Sequence, residues 1–275
     1  MNIKWLVIIV VIALLCGKYV SGNSYQEAPI KETYNKTKLQ SIDHSAWQEI
    51  LADYLVTDDL SQVHLVDYES LLEEEYDKLQ KYIKTLSHVD VSKYSTDEQF
   101  AYWINLYNAL TVNVILDNYP IDSITNVFGA KNGEGPWDME LLVVQGKKLT
   151  LNDIEHKILR KNWNDYRIHF AVNCASIGCP NLSNRAFTAQ NYSELLDIAA
   201  TDYLQHPRAF NFVDDHLYLS SIFDWYKSDF GKNEQGMLQT LAKHLTKAQQ
   251  KKLELFDGKI QYGYDWALND YKVQN

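Results

Sequence analysis

Hydrophobic positions recur at helical spacing through the first half of the chain. Apolar side chains return every three or four positions over residues 47–55 and again over residues 71–83, which predicts two amphipathic helices. Residues 98–119 are apolar on nearly every face, and this pattern predicts a buried central helix. Ser95 and Glu98 have the spacing of a capping box, and Pro120 predicts where the helix ends.

The second half of the chain contains both the helical spacing of apolar residues and the alternating spacing of strands. Residues 139–151 predict a strand pair with a turn at 145–147, and Asn152 is expected to cap the helix that follows. Residues 167–175 alternate, which predicts a strand with His169 and Cys174 on opposite faces.

A helix near residues 191–204, a hairpin near 216–223 and further helical segments complete the chain. Helices outnumber strands and do not alternate with them. The predicted class is therefore α+β: a helix-rich single domain over residues 43–275, with a long buried central helix and a small β-sheet.

The N-terminus has the pattern of an export signal. The apolar run at residues 5–16 is too short to span a bilayer and fits a signal peptide over residues 1–22, with cleavage before Asn23. An uncleaved anchor and lipidation at Cys16 are the alternatives. Residues 23–42 are predicted to form a flexible leader. We expect an exported protein, periplasmic or extracellular, with no stable membrane span after cleavage.

The formal net charge is −10, which disfavours nucleic acid as a partner because phosphate backbones are repelled. The sequence contains no phosphate-binding glycine loop, no H-E-x-x-H and no G-x-S-x-G motif. No cofactor or metal is predicted. The expected partner is a small molecule or a cell-envelope ligand.

The first cluster of chemical groups is Glu155, His156 and Arg160. His156 titrates near neutrality and is the candidate general acid or base, while Arg160 shares its helix face four residues on. Glu155 is rotated away by about 100° of helix and could instead reach back to the cap at Asn152. A buried structural histidine is the alternative for His156.

The second cluster is His169 with Cys174 and Cys179. A cysteine nucleophile needs a nearby base, and the predicted strand turns His169 away from Cys174, so His156 is the expected partner. Two cysteines this close in an exported protein also predict a disulfide. Zinc is a third interpretation, although the spacing matches no common zinc module.

The third cluster is Asn105 and Asn108 in the central helix. A buried amide must find hydrogen-bond partners, so these side chains either line a cavity and bind substrate or fix a neighbouring loop in place.

Five segments occur in an order that resembles the domain of unknown function 547 family, over roughly residues 45–270. They are EQFAYWINLYNALTVNVIL, LTLNDIEHKILR, RIHFAVNCASIGCPNL, SSIFDWYKSDF and YGYDWALN. The resemblance implies an exported bacterial-type protein that consists of this domain alone. It also implies a site where the central helix, the Glu155–His156 segment and the cysteine segment converge, and it implies no reaction.

Two functions follow from these clusters. The first is a hydrolase of acyl or amide bonds, with candidate catalytic residues His156, Glu155, Arg160, Cys174 and Cys179. Its candidate substrate-binding residues are Asn105, Asn108 and His169. The alternative is a non-catalytic envelope or extracellular ligand-binding module with a structural Cys174–Cys179 disulfide.

Overall fold

A computed structural model of the chain describes residues 40–130 and 135–274. The predicted signal peptide and most of the predicted leader lie outside the described residues. The end of that leader is packed, because Ile42 is buried and its N–H donates to a Glu98 carboxylate oxygen at 3.4 Å.

The α+β, helix-rich class is confirmed. The α-helices of the described part are α1 (Ser45–Tyr54), α2 (Tyr68–Glu74), α3 (Tyr76–Ser87), α4 (Thr96–Leu116), α5 (Lys161–Trp163), α6 (Tyr192–Gln205), α7 (Ile222–Trp225), α8 (Lys227–Phe230), α9 (Glu234–Ala242), α10 (Lys247–Glu254) and α11 (Tyr271–Gln274). A π-helix, Asp153–Arg160, runs directly into α5. Short 3-10 segments are Val91–Lys93, Ile124–Asn126 and Tyr166–Phe170. No helix within the described ranges has the length and apolarity needed to cross a membrane.

The strands form three small sheets. They are β1 (Leu55–Thr57), β2 (His64–Val66), β3 (Leu142–Val144), β4 (Lys147–Leu149), β5 (Phe210–Val213), β6 (His216–Ser220) and β7 (Lys259–Gly263). The β3–β4 hairpin is confirmed, with Gln145 and Gly146 at positive φ in its turn. The predicted hairpin at 216–223 is wrong: β6 occupies that segment, pairing antiparallel with β5 and parallel with β7.

Helix α4 is the predicted buried central helix. Its cap is Ser95, whose hydroxyl accepts from the Glu98 N–H at 3.2 Å. Only half of the predicted capping box is present, because the Glu98 carboxylate accepts from Ile42. Almost every side chain from Phe100 to Leu116 is buried, as the all-round apolar pattern predicts.

The predicted strand at 167–175 is wrong. The chain forms a 3-10 helix, Tyr166–Phe170, capped by the Asp165 carboxylate, which accepts from the Arg167 N–H at 2.9 Å. Ile168 packs into the hydrophobic cluster around α4, and Phe170 packs into a second cluster around β5 and β6. The segment lies between the two hydrophobic clusters and contributes apolar side chains to both. The resulting spacing of apolar residues resembles the pattern of a strand.

The cysteine loop, residues 174–179, is fixed to a segment near the C-terminus. The N–H groups of Ile177 and Gly178 donate to the carbonyls of Ala267 and Asp265, each at 2.8 Å. A Cβ on Gly178 would lie 2.7 Å from the backbone nitrogen of Asp265, closer than such contacts allow. Glycine is required here so that the two segments can touch, and this contact places the cysteines beside residues 264–266.

Candidate active site

A cavity of about 480 Å³ opens between these elements. Its polar interior includes Glu155, His169, Cys174 and Cys179. Its aromatic side chains are Tyr107, Trp137, Trp225, Tyr226, Tyr264 and Trp266. The cavity therefore combines titratable groups in the interior with a wall of aromatic rings, which is the usual composition of a small-molecule site.

A chain of ion pairs leads from the protein surface to the cavity. Arg160 binds Asp229 in a bidentate manner, with Nε–Oδ2 at 2.6 Å and Nη2–Oδ1 at 2.8 Å. Asp229 Oδ2 accepts from His169 Nε2 at 2.8 Å. On the other side of the ring, His169 Nδ1 lies 3.5 Å from Glu155 Oε1. The carboxylate of Asp229 thus orients the imidazole, whose second nitrogen faces Glu155.

The pKa values of these groups shift together. For His169, burial lowers the pKa, but the bonds to Asp229 and Glu155 outweigh burial and raise it. For Asp229, the bond from His169 lowers the pKa, burial opposes this, and Arg160 adds to the lowering. For Glu155, burial raises the pKa, but the bond and charge of His169 prevail and lower it. His169 is thus held between two carboxylates that favour the charged form of its ring.

Aromatic residues hold the linked ion pairs of Arg160, Asp229, His169 and Glu155 in place. The ring of Tyr226 stacks on His169 with centroids 4.0 Å apart and planes 21° apart, and the Arg160 guanidinium lies 5.0 Å from the same ring. The Tyr107 hydroxyl donates to Glu155 Oε2 at 3.3 Å. Glu155 therefore has one oxygen facing His169 and the other bonded to a buried phenol.

The two cysteines are free thiols in direct contact. Their sulfurs lie 2.8 Å apart, which is longer than a disulfide bond of about 2.05 Å. The Tyr264 hydroxyl lies 2.8 Å from Cys174 Sγ, and Ser176 Oγ lies 3.4 Å from it. The Cys174 N–H donates to Cys179 Sγ at 3.0 Å. The disulfide expected for a binding module is not present in this structure.

These contacts distinguish the two thiols. Burial raises the pKa of Cys174, but hydrogen bonding with Cys179, Ser176 and Tyr264 outweighs burial, and the net shift is downward. Burial and the neighbouring Cys174 raise the pKa of Cys179 well above its ordinary value. Cys174 is therefore the more acidic thiol of the pair, and Cys179 is the less acidic one.

The structure brings four of the eight predicted site residues, Glu155, His169, Cys174 and Cys179, to one cavity. Arg160 acts behind them through Asp229. The sequence predicted that His156 would lie near the cysteines and that His169 would face away from Cys174. In the structure His169 lines the cavity with the cysteines, because a 3-10 helix in place of the predicted strand directs its side chain there.

His156 does not line this cavity; it lies in a second pocket together with Arg160 and Asp229. Its Nδ1 accepts from Arg160 Nη1 at 3.0 Å, and burial lowers its pKa, so the ring is neutral. His156 and the two cysteines therefore line different pockets.

The helix predicted to begin at an Asn152 cap is capped differently. Thr150 and Asp153 bond reciprocally through backbone and side chain, at 3.0 Å in each direction. The Asn152 side chain instead donates to Asp138 at 2.8 Å, and Asn152 lines the cavity. Glu155 is therefore not used for capping. It lies in a π-helix, whose wider turns often occur at functional sites.

Asn105 and Asn108 fix loops in place. Asn105 exchanges two hydrogen bonds with the backbone of Phe187, at 2.8 and 3.0 Å. Asn108 donates to the Ala171 carbonyl and accepts from the Asn173 N–H, both at 2.9 Å. Neither lies among the residues that line the cavity. Their contacts match the loop-fixing interpretation, and the Asn108 pair holds the entry to the cysteine loop.

Several site residues were missed by the sequence reasoning: Tyr107 as a ligand of Glu155, Asp229, Tyr226, Tyr264, and the tryptophans Trp137, Trp225 and Trp266. A signal was available for most of them, because SSIFDWYKSDF and YGYDWALN contain acidic and aromatic residues at unusual density. No cluster of three or more His, Cys, Asp or Glu suited to a metal ion occurs in the described part of the chain.

Comparison with known proteins gave a family match for the middle of the chain. Searches of curated proteins and of solved structures each gave no match. Residues 91–204 match the sequence model of a family described as "Protein of unknown function, DUF547". This range is shorter than the resemblance at 45–270, and it contains α4, the π-helix and the cysteine loop. Residues 91–204 are therefore similar to the DUF547 family, which supports the resemblance drawn from the sequence.

Proposed function

We propose that the protein is a cysteine-dependent hydrolase of acyl or amide bonds. One observation carries the proposal: the hydrogen-bonded Cys174 thiol, with its lowered pKa, lines the same cavity as the His169–Glu155 pair held by Asp229. A nucleophile and an oriented proton carrier on one cavity are the two requirements of covalent acyl transfer.

The reaction proceeds in two steps. The Cys174 thiolate attacks the substrate carbonyl carbon and forms a sulfur–carbon bond. The bond to the leaving amine or alcohol breaks, and the leaving group takes the electron pair and a proton from the His169–Glu155 pair. Water then attacks the thioester and returns a proton to that pair. The acid departs, and the sulfur leaves as thiolate.

Turnover of simple substrates tests the proposal. The reduced protein is assayed with 4-nitrophenyl esters and with aminoacyl 4-nitroanilides, beside Cys174→Ser, Cys179→Ser and, as a remote control, His88→Gln. Cys174→Ser is expected to lose at least about 100-fold of the rate, and Cys179→Ser to lose much less, because only Cys174 becomes bonded to substrate. Equal losses in both variants, or none in either, would contradict the assignment of the nucleophile.

Export is part of the proposal and is supported by the signal-like pattern at residues 1–22. Acyl or amide bonds of envelope material then form the substrate class. Expression of the full chain with its own N-terminus, followed by N-terminal sequencing of the exported product, tests this point. Asn23 is the expected first residue, and retention in the cytoplasm with Met1 intact would contradict export.

A non-catalytic binding module is the second candidate. The contact between the two sulfurs and the aromatic wall of the cavity support it, because oxidation by a disulfide exchange partner would join Cys174 to Cys179 and leave a ligand pocket without a nucleophile. In that case the protein as exported would show no alkylation by iodoacetamide before reduction. Its ligand binding would also survive the loss of His169.

A further inference from the structure

We infer that the aromatic wall of the cavity binds a positively charged group of the substrate, an ammonium or quaternary ammonium. The wall is built from three tryptophans and a carboxylate: Trp137, Trp225, Trp266 and Asp138. The choice of substrate rests on the proposed function, whereas binding of the cation is measurable whether or not the protein is a hydrolase.

The indole rings form an angled surface. The rings of Trp137 and Trp266 have centroids 5.7 Å apart and planes at 67°, so they make a corner. Trp225 lies nearly parallel to Trp266 at 5.7 Å and is 49 % exposed. A cation is attracted to the negative face of such rings within about 6 Å of their centroids, most strongly by tryptophan.

This surface is held in place before any ligand arrives. The Trp137 carbonyl accepts from the Asn152 N–H at 3.0 Å, and Asp138 Oδ1 accepts from the Asn152 side chain at 2.8 Å. Gly135 has φ +76°, and a Cβ there would lie 2.0 Å from the Trp137 ring. Glycine therefore lets the indole lie against the backbone, and Asn152, the residue before the π-helix, fixes the Asp138 carboxylate.

The charge balance of the cavity favours a cation. Asp138 is an exposed carboxylate of the lining and has no basic partner among the lining residues that the structure describes. The described lining residues include no lysine or arginine, and the charge of His169 is opposed by both Glu155 and Asp229. A neutral sugar would also stack on indole rings and donate hydroxyl groups to Asp138, but it would gain no charge attraction from the rings or from the carboxylate.

The consequence for the reaction is a division of the cavity into two parts. The acyl carbon would lie at Cys174 beside Tyr264, and the positively charged group would lie against Trp266, which is packed on Tyr264 at 4.6 Å. The substrate class is therefore an amide or ester in which an amino or quaternary ammonium group lies a short distance from the cleaved bond.

Choline and its neutral isostere 3,3-dimethylbutan-1-ol test the inference by calorimetry on the full reduced protein. Choline is expected to bind at least about tenfold more tightly than the alcohol, with an affinity that falls as salt is added. Trp225→Leu, at a half-exposed position, is expected to weaken choline about tenfold, and Asp138→Asn a few-fold. Asp59→Asn is the matched control at a remote exposed carboxylate.

Equal affinity for choline and the alcohol would overturn the inference, as would binding of N-acetylglucosamine without binding of choline. Retention of full choline affinity in both Trp225→Leu and Asp138→Asn would also overturn it. Cys174→Ser separates the two proposals, because it should bind choline like the wild type while losing turnover. If choline binds selectively but no ester or amide is cleaved, the hydrolase proposal fails and the cation site stands.

Discussion

At the scale of single residues, the reactivity of Cys174 depends on the groups that donate to its sulfur. Tyr264→Phe removes the hydroxyl 2.8 Å away and is expected to raise the pKa of the Cys174 thiol. The pH at which iodoacetamide alkylation reaches half its maximal rate should therefore move upward relative to the wild type. Tyr218→Phe, at an exposed tyrosine, is the control. An unchanged midpoint in Tyr264→Phe would show that the phenol does not stabilise the thiolate.

The two histidines offer the sharpest contrast at this scale. His169→Gln removes the proton carrier held by Asp229 and is expected to lower turnover by about 10²–10⁴-fold. His156→Gln alters a ring that does not line the cavity and is expected to retain most of the turnover. Steady-state rates on one ester substrate provide the measurement. A larger loss of turnover in His156→Gln than in His169→Gln would contradict this assignment and indicate that His156 is the proton carrier.

At the scale of elements, the cysteine loop depends on Asn108. Asn108→Ala removes two hydrogen bonds to buried backbone and leaves the Ala171 carbonyl and the Asn173 N–H without partners. We expect a loss of about 3 kcal/mol in the free energy of unfolding, since each unpaired buried group costs about 1–3 kcal/mol. Asn113→Ala, on the more exposed face of the same helix, is the matched control for urea denaturation. A similar small loss in both variants would contradict the loop-fixing role.

The elements differ in how far they could be predicted. Helix α4 follows from its apolar run and from Ser95, because a long periodic segment with a cap leaves few alternatives. The π-helix has no comparable signal, and the sequence assigned its cap to Asn152 when Thr150 and Asp153 form it. The 3-10 helix was mistaken for a strand because neighbouring residues are buried on opposite sides. That single error moved His169 away from the cysteines.

Long-range pairing limited the prediction of the site. Asp229 lies 60 residues after His169, and Tyr264 lies 90 residues after Cys174. Local periodicity carries no information on which distant side chains meet. The candidate residues near one another in sequence were found, whereas the partners that set their pKa values were not.

At the scale of the whole molecule, the ion-pair chain links stability to pH. The pKa of Asp229 is lowered below its ordinary value of 3.8, so its contribution is present above that pH and is lost as pH falls further. The pKa of His169 is raised above 6.5, so its contribution is complete below 6.5 and is lost as pH rises through the folded value. The two contributions overlap fully between these limits.

Asp229→Asn should therefore destabilise the protein most at mildly acidic pH. We expect the difference in free energy of unfolding between wild type and variant to be largest between pH 3.8 and 6.5. The difference should become smaller above pH 6.5, where His169 loses its charge. Part of it should remain, because Asp229 still binds Arg160. Urea denaturation across pH provides the measurement, with Asp257→Asn as the control. A difference that is constant with pH would contradict the imidazolium between two carboxylates.

The covalent intermediate on Cys174 is the most direct test of the account. Reduced wild-type protein is mixed with a 4-nitrophenyl ester, quenched in acid within milliseconds to seconds, and mapped by peptide mass spectrometry. The account predicts an acyl group on Cys174, removed by hydroxylamine and accumulating when His169 is replaced by glutamine. Absence of any adduct while the ester is being cleaved, or acylation of Cys179 alone, would contradict it.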